Sequence, residues 1–381
     1  MDIPFFRPAI TADEIEAVTA VLRSGWLTTG PKTREFEEKF AAFLGGGVEA
    51  VAVNSATAGL HLAAEACGIG PGDSVIVPTL TFTATAEIVR YLGAEVVLVD
   101  VEPGTRVINL AEAERRLTPR CKAIIPVHFG GLPCDMNAVL DFGRRNGLRI
   151  IEDAAHALPA HRDGRLVGTW ESDACVFSFY ANKTITTGEG GMLVTRDPKI
   201  AARARLMRTH GLDRNALDRF RKIGSSWAYD ILAPGFKYNM TDVASALGVV
   251  QLTKAHSFQE QRQKAALHYF EALSGLPLEF PALPPAGSMH SWHLFPVRIH
   301  ENARATRDAV IAALTKAGIG SSVHYRPLHK MAYWAERYPS LPGEFLAADR
   351  YFAGAVTLPL FPGMKDAEVE RVADVLREVL E

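Results

Sequence analysis

The sequence predicts an α/β protein with two parts: a large domain whose mainly parallel central sheet is flanked by helices, and a smaller α/β domain at the C-terminal end. Short apolar runs rich in Val and Ile recur along the first half of the chain, with amphipathic or Ala-rich segments between most of them. A proline-rich break interrupts this alternation later on. The length of 381 residues also exceeds what one hydrophobic core usually serves, which favours two units.

The first predicted element is a helix from Thr11 to Gly25. Thr11 and Glu14 form a capping box, and Gly25 can end the helix. Its expected apolar face consists of Ile15, Val18 and Leu22. Strands are then expected at residues 50–53, 74–78, 95–100, 121–127, 148–152, 174–178 and 191–195.

The predicted boundary between the domains follows from the segment LPLEFPALPPAGS, which breaks any regular element. After it, HLFPVRI resumes a strand-like alternation and residues 304–317 have a helical pattern. We therefore expect a large domain over residues 1–275 and a small domain over residues 276–381. The N-terminal helix, residues 11–24, is expected to pack on the small domain.

Composition excludes several classes of protein. The formal net charge is -2, from 41 basic and 43 acidic residues without a run of like charge, so nothing favours binding to nucleic acid or an anionic membrane. No apolar stretch reaches the length of a membrane helix, and we expect a cytoplasmic protein. The four cysteines are widely spaced and the histidines show no HExxH pair, so no metal site is expected.

A candidate phosphate site lies in VNSATAGLHLAAE at 53–65, where an apolar strand passes through small residues into a helix beginning near Thr57. The free N–H groups and the positive dipole end of a helix start attract an anion, and Ser55 and Thr57 add hydroxyl donors. The same residues would serve equally as an ordinary N-cap, so this segment alone leaves both roles open.

A candidate acidic site lies in IIEDAAHA at 150–157, which places Asp153 at the carboxyl end of an apolar strand. Open α/β sheets bind ligands at that edge. A carboxylate in a dry pocket needs a cation, and a protonated pyridine nitrogen would be one such partner. An acidic residue at a strand end also occurs as a metal ligand or a helix cap.

A candidate amine lies in FSFYANKTITTGEGGMLVT at 177–195, where Lys183 follows one short strand and glycines precede the next. Glycine lets the backbone turn tightly beside a bulky ligand, whereas a lysine exposed in a turn is the alternative. Together the three segments supply a phosphate anchor, an acid for a ring nitrogen and an amine for an aldehyde. Pyridoxal 5'-phosphate needs all three, so we predict it as the cofactor, with Lys183 as the catalytic amine and proton-transfer base.

These segments, with SGWLTTGP at 24–31, VIVPTLTFTATA at 75–86 and FKYNMTDV at 236–243, resemble the DegT/DnrJ-type sugar aminotransferases, pyridoxal-phosphate enzymes of fold type I. The resemblance covers nearly the whole chain. It implies a homodimer with shared active sites, glutamate as amino donor and a nucleotide-linked keto sugar as acceptor. Within the family, three segments resemble the branch that makes UDP-4-amino-4-deoxy-L-arabinose, which implies a UDP-linked 4-keto sugar: IPVHFGGLPCDM, PGFKYN and SWHLFPVRI.

By position, the resemblance implies that Lys183 carries the cofactor as a Schiff base and that Asp153 contacts the ring nitrogen. The phosphate would be held by Thr57, Ala58 and Ser178. His156 would lie near the oxygen substituent of the ring.

Two further cofactor contacts are implied with alternatives. Phe82 would stack on the pyridine ring, although ordinary core packing is also open for it. Asn239 would reach the phosphate of the neighbouring subunit, or would only cap the helix that begins at Thr241.

Substrate contacts are implied for the segment GIGSSVHYRPLH at 318–329. His324 and Tyr325 would line the substrate entrance. Arg326 is a candidate for pairing with a diphosphate, although a solvated loop arginine is the alternative.

Other functions remain open at this point. Amination at carbon 3 of a nucleotide sugar, or of a keto-cyclitol, would use the same cofactor residues. A non-catalytic regulatory relative is a different class, which the intact lysine and aspartate disfavour. Lys183 also argues against the dehydratases of the family, which have histidine at that position.

Overall fold

The structure is a computed structural model that describes residues 2–213 and 228–381. Its central feature is a seven-stranded sheet. The strands are β1 (Glu49–Val53), β2 (Ser74–Pro78), β3 (Glu95–Val99), β4 (Cys121–Ile124), β5 (Arg149–Asp153), β8 (Ala174–Ser178) and β9 (Gly191–Thr195), with a short hairpin, β6 (His161–Arg162) and β7 (Arg165–Leu166), between β5 and β8. All seven predicted strands are present in the sheet.

The strand order is β1-β9-β8-β5-β4-β2-β3. Strand β9 pairs antiparallel with both of its neighbours, whereas the other pairs in the sheet are parallel. The predicted mainly parallel sheet is therefore confirmed. Strand β2 is buried along its whole length, which explains its continuous apolar sequence.

Helices cover this sheet. They are α1 (Ala12–Ser24), α2 (Pro31–Phe43), α3 (Ala56–Ala66), α4 (Ala84–Tyr91), α5 (Leu110–Arg115), α6 (Met136–Asn146), α7 (Pro198–Met207) and α8 (Asp242–Thr253). Helix α3 lies very close to the sheet, because a Cβ at Gly59 would be only 2.7 Å from a methyl group of Val176. This approach brings the start of α3 next to the carboxyl ends of β5 and β8.

Strand β4 is shorter than predicted. The ladder ends at Ile124, and beyond it Val127 forms only an isolated bridge with Asp153. Pro126 has no N–H group to donate and so cannot continue the ladder in the regular way. The chain is thereby released from the sheet close to Asp153.

The C-terminal part contains a three-stranded antiparallel sheet, β10 (Leu278–Glu279), β11 (Phe295–Ile299) and β12 (Ala355–Leu358). Its helices are α9 (Ala255–Ala272), α10 (Arg307–Lys316), α11 (Ala332–Arg337), α12 (Leu346–Gly354) and α13 (Asp366–Leu380). The core of this part also takes in Ile3 and the second half of α9. The boundary between residues 275 and 276 stays a prediction, and α9 crosses from one hydrophobic core to the other.

Helix α1 has the predicted caps: the Thr11 and Glu14 capping box is formed, and Gly25 ends the helix in a left-handed conformation. Its packing differs from the prediction, because Ile15 and Leu22 are 61% and 55% exposed while Glu14 and Val21 are buried. The helix packs on α8 of the large sheet layer. The segment before it reaches the C-terminal part, where Ile3 bridges to Ile319.

None of the helices within residues 2–213 and 228–381 is long and apolar enough to cross a membrane. The same ranges contain no group of three or more His, Cys, Asp and Glu side chains arranged to hold a metal ion. All four cysteines are free thiols.

Candidate active site

A cavity of about 440 Å³ lies at the carboxyl ends of β5 and β8, between the starts of α3 and α4. The segment at 324–325, from the C-terminal part, closes one side. The fold therefore brings together segments that are up to 270 residues apart. Eight of the predicted site residues line the cavity: Thr57, Phe82, Asp153, His156, Ser178, Lys183, His324 and Tyr325.

Asp153 lies at the last position of β5 and is only 5% exposed. Its carboxylate accepts a hydrogen bond of 2.7 Å from the Thr85 hydroxyl and one of 3.1 Å from the Ala155 N–H. Burial raises the pKa of Asp153, and these two neutral donors and the more distant Lys183 do not offset it. A positively charged N–H donor in the cavity, such as a protonated pyridine nitrogen, would compensate the buried negative charge of this carboxylate.

Thr85 is a site residue that sequence reasoning did not assign. It is fully buried, and its hydroxyl also lies 2.7 Å from the Thr81 hydroxyl, which lines the cavity. This short chain of hydroxyls fixes the carboxylate of Asp153. Both threonines lie in VIVPTLTFTATA, so the segment was noticed while their roles were not.

Lys183 lies in the loop between β8 and β9. Its backbone N–H donates to the carbonyl of Tyr180 at 2.9 Å. Burial lowers the pKa of Lys183 to about 8, against the opposing attraction of Asp153. This amine is therefore unprotonated near neutral pH far more often than an ordinary lysine, and in that form it can act as nucleophile or base. The Nζ atom lies 3.4 Å from Nε2 of His293.

His156 is held as a neutral imidazole of defined tautomer. Its Nδ1 accepts a hydrogen bond of 3.2 Å from the Gly130 N–H, so the proton resides on Nε2, which is 3.0 Å from the Tyr325 hydroxyl. Burial, with nearby Lys183, lowers the pKa of His156 well below its ordinary value. The Tyr325 hydroxyl therefore accepts from His156 and keeps its own proton for donation to another acceptor.

The start of α3 forms the opposite end of the cavity. Ser55 is the N-cap, and its hydroxyl accepts a hydrogen bond of 3.1 Å from the Ala58 N–H. Thr57 lines the cavity, whereas Ala58 is buried and absent from its described lining. The capping role considered from the sequence is thus real, and the hydroxyl of Thr57 remains available to an anion beside it.

Phe82 is 57% exposed, so the alternative that it belongs to the core is wrong. Its ring lines the cavity and lies 6.1 Å from the ring of Tyr325. Asn239 donates a hydrogen bond of 2.7 Å to the Thr29 hydroxyl and does not reach the described wall of the cavity. Nor does it cap the following helix, because Thr241 performs that task itself.

Arg326 is exposed and absent from the described lining, so the structure does not bring it to the cavity within one chain. Ser55, proposed from the sequence as a hydroxyl donor, also lines the cavity, whereas several other lining residues were not assigned from the sequence: Thr81, Tyr180, Asn182 and Glu189. Most of them lie inside the segments that carried the resemblance. His293, from SWHLFPVRI, contacts Lys183 and was also missed.

Residues 8–377 match the model of the DegT/DnrJ/EryC1/StrS aminotransferase family. The chain belongs to this family. The structural relatives of this family member include TlmJ, an aminotransferase from Streptoalloteichus hindustanus, at 34% identity and a TM-score of 0.89, covering 99% of this chain and 98% of that one. The putative sugar aminotransferase Spr1654 from Streptococcus pneumoniae, in its PLP form, is 32% identical over 100% of both chains, with a TM-score of 0.91.

A third relative is PseC from Helicobacter pylori, an aminotransferase involved in the biosynthesis of pseudoaminic acid. It is 26% identical over 100% of this chain and 99% of that chain, with a TM-score of 0.91. Spr1654 also has a structure in its PMP form. This member of the DegT/DnrJ family is thus a pyridoxal-phosphate-dependent sugar aminotransferase, which confirms the predicted enzyme class, fold type and cofactor.

Proposed function

We propose that this aminotransferase transfers an amino group from glutamate to carbon 4 of a nucleotide-linked 4-keto sugar, most favourably a UDP-linked one. The observation that carries the proposal is the pairing of buried Asp153 with the low-pKa amine of Lys183 in one cavity, in a chain of the sugar aminotransferase family. The preference for carbon 4 and for UDP rests on the closer resemblance of three segments, the last of which contains His293.

When bound, pyridoxal phosphate supplies a ring that withdraws electrons from the reacting carbon of the substrate. The carboxylate of Asp153 holds the proton on the ring nitrogen and so maintains that withdrawal. Lys183 would hold the cofactor through its aldehyde, and its Nζ would serve as the base that moves the proton at the substrate carbon. Since burial keeps the pKa of Lys183 near 8, the amine can perform both steps close to neutral pH.

The other lining residues orient the ligands. Thr57, in the first turn of α3, and Ser178, at the end of β8, both line the cavity, where the dipole of α3 would favour a phosphate. Phe82 lines the cavity, where its ring would stack on the pyridine ring of the cofactor. His156 donates to Tyr325, so the phenolic proton of Tyr325 would be free to bind an oxygen of a ligand in the cavity.

The substrate is tested by incubating the enzyme with glutamate and a panel of nucleotide-linked 4-keto and 3-keto sugars, with a free keto-cyclitol as comparison. Release of oxoglutarate identifies the acceptor, and NMR of the product locates the new amine. We expect nitrogen at carbon 4 of a UDP-linked sugar. Nitrogen at carbon 3, or reaction only with the cyclitol, would reject this assignment without affecting the aminotransferase class.

We also propose a homodimer with shared active sites. Asn239 supports it, because the residue implied to hold a phosphate does not reach the described wall of its own chain's cavity. Apolar side chains near the mouth support it as well, since Phe82 and Tyr180 are 57% and 46% exposed.

The shared site is tested by mixing Lys183→Ala subunits with Asn239→Ala subunits. Within heterodimers, one of the two sites then carries both native residues. Activity above that of either parent is expected, after subunit exchange has been demonstrated by differently tagged chains. No gain, with both parents impaired, rejects a contribution of Asn239 in trans.

A further inference from the structure

The segment at 290–294, just before β11, is buried along its whole length, although it is rich in polar groups. The exposed fractions of His290, Ser291, Trp292, His293 and Leu294 are all 4% or less. The segment lies against the loop after β4: the Ser291 N–H donates to the carbonyl of Gly131, and the Leu294 N–H to that of Gly130, each at 3.1 Å. Residues 290–294, which we call the His293 loop, are therefore held in place on the side that faces the seven-stranded sheet.

The close contact at Gly131 shows how tightly the His293 loop is held. A Cβ at Gly131 would lie 2.0 Å from the Ser291 hydroxyl and 3.0 Å from the carbonyl of His156. The Ser291 hydroxyl itself donates to that His156 carbonyl at 2.5 Å. Trp292 adopts φ of +50°, a strained conformation for a bulky residue that persists only where its surroundings impose it.

Arg262 of α9 fixes the same loop from the other side. Its buried guanidinium donates to three backbone carbonyls, those of Trp292 and His293 at 3.3 Å and that of Leu360 at 2.8 Å. No carboxylate pairs with Arg262 among the residues that the structure describes. A buried charge committed to the backbone of this loop is a costly arrangement, which indicates that the exact position of the loop matters.

The His293 loop places one ring nitrogen of His293 beside the amine of Lys183. Nε2 of His293 lies 3.4 Å from Nζ of Lys183, and Nδ1 of the same ring is buried without a partner within the described chain. Burial and the charge of Lys183 hold the pKa of His293 well below its ordinary value, so the ring is neutral. A neutral ring can accept a hydrogen bond from the lysine without repelling it.

We propose that His293 is a positioning residue for the Lys183 amine: its Nε2 accepts a hydrogen bond from Nζ and keeps the amine directed into the cavity whenever it is not bonded to the cofactor. The inference rests on the proposed role of Lys183. The other titratable or charged groups acting on this lysine are Asp153, His156, His324 and Arg262. Among all of these, only His293 contacts Nζ in the structure.

The test compares three substitutions. His293→Leu keeps the volume and dryness of the site but removes the acceptor. His293→Asn introduces a polar side chain that is too short to reach Nζ, and it replaces the leucine variant in the test if that variant does not fold. His293→Gln restores an acceptor oxygen near the original distance. The matched control is His61→Leu, because His61 is also buried, carries a lowered pKa and has one ring nitrogen without a partner among the described residues, but its ring contacts the Tyr238 hydroxyl at 3.1 Å and does not line the described cavity.

The first measurement is the pKa of Lys183 in cofactor-free protein, from the ¹³C NMR shift of labelled lysine, with Lys183→Ala identifying the resonance. The second is the rate at which the cofactor is captured, followed by its absorbance. His293→Leu and His293→Asn are expected to lower the pKa of Lys183 below about 8, since its charged form loses an acceptor. Capture should slow by on the order of 10- to 100-fold. His293→Gln should recover most of both quantities, and His61→Leu should change neither.

An unchanged or raised pKa of Lys183 in the leucine and asparagine variants overturns the proposal, as does an asparagine or leucine variant that captures the cofactor at the native rate. Failure of the proposed function would be distinguishable. In that case Lys183→Ala would still turn over substrate, while the NMR result on the His293 contact would stand by itself.

Discussion

Two buried carboxylates illustrate different uses of the same chemical group. Glu14, where α1 meets α8, is 1% exposed, and Asp153, at the end of β5, is 5% exposed. Glu14 accepts hydrogen bonds from Thr11 and from two groups of the α8 region, the amide of Gln251 at 2.9 Å and the ammonium of Lys254 at 2.8 Å. Among the residues that the structure describes, the carboxylate of Asp153 accepts from one hydroxyl and one backbone N–H.

The pKa values move in opposite directions. Burial alone would raise the pKa of Glu14, but the hydrogen bonds from Lys254, Thr11 and Gln251 together lower it to about 2. Burial raises the pKa of Asp153, and its partners do not compensate. A buried carboxylate that is paired with a cationic group of its own chain stabilises the fold. A buried carboxylate in a cavity with neutral donors alone indicates a cationic ligand.

The largest expected loss of activity follows from replacing Lys183, whose amine shares the cavity with Asp153. Lys183→Ala removes both the group that bonds the aldehyde and the base that moves the proton, so turnover should fall by on the order of 10⁴-fold or more. The variant should keep its fold and bind some cofactor non-covalently through the α3 end and Asp153. Wild-type turnover in the purified variant would show that Lys183 is not the catalytic lysine.

The next effect separates the two carboxylates by activity. Asp153→Asn is nearly isosteric but cannot hold a proton on the ring nitrogen, so kcat should drop by on the order of 10²–10³-fold. Glu14→Gln, the matched substitution, should leave kcat unchanged because α1 lies outside the cavity. Steady-state kinetics of both variants test this, and equal losses of kcat would show that the two carboxylates do not differ in function.

Stability should show the reverse order. Glu14→Gln is expected to lower the free energy of unfolding by roughly 2–3 kcal/mol, because it replaces a charge-assisted set of hydrogen bonds with neutral ones. Asp153→Asn should leave the cofactor-free protein as stable or more stable, since it removes an uncompensated buried charge. Denaturant unfolding of the cofactor-free proteins at pH 7 measures both.

The smallest effect is a difference in pH dependence. The pKa of Glu14 is lowered in the fold, so its stabilisation is fully present above the ordinary value of 4.5 and is lost as the pH falls through about 2. The pKa of Asp153 is raised, so its penalty is absent below 3.8 and grows as the pH rises through the folded value. Unfolding curves at several pH values measure both. The loss of unfolding free energy caused by Glu14→Gln should become smaller in acid. The gain caused by Asp153→Asn should become larger toward neutral pH.

Much of the site was predictable because its parts are local segments. Asp153 follows an apolar strand, and Lys183 lies between two strands with glycines beyond it, so both positions could be inferred from neighbouring residues. The N-cap at Ser55 was likewise expected from its own segment. By contrast, no local pattern distinguished Phe82 in the cavity from Phe82 in the core.

Contacts between distant segments were not predictable. Thr85 approaches Asp153 across 68 residues, and His293 approaches Lys183 across 110. Each depends on the placement of a whole helix or loop against the sheet. The apolar pattern of α1 was visible too, yet the side of the helix that is buried centres on Glu14 and Val21 rather than on Ile15 and Leu22.

The sequence by itself determined the α/β class, the order of the elements, the helix caps and the local positions of Asp153 and Lys183, because periodicity, capping and turn chemistry act over a few residues. Only the tertiary structure decided how those groups are solvated and paired. Within the described part of the chain, it gave the carboxylate of Asp153 neutral hydrogen-bond donors, paired Glu14 with Lys254 and brought His293 to Lys183. The physical reason is that the free energy of a buried charge depends on the neighbours that packing supplies, and these come from parts of the chain that no local pattern connects.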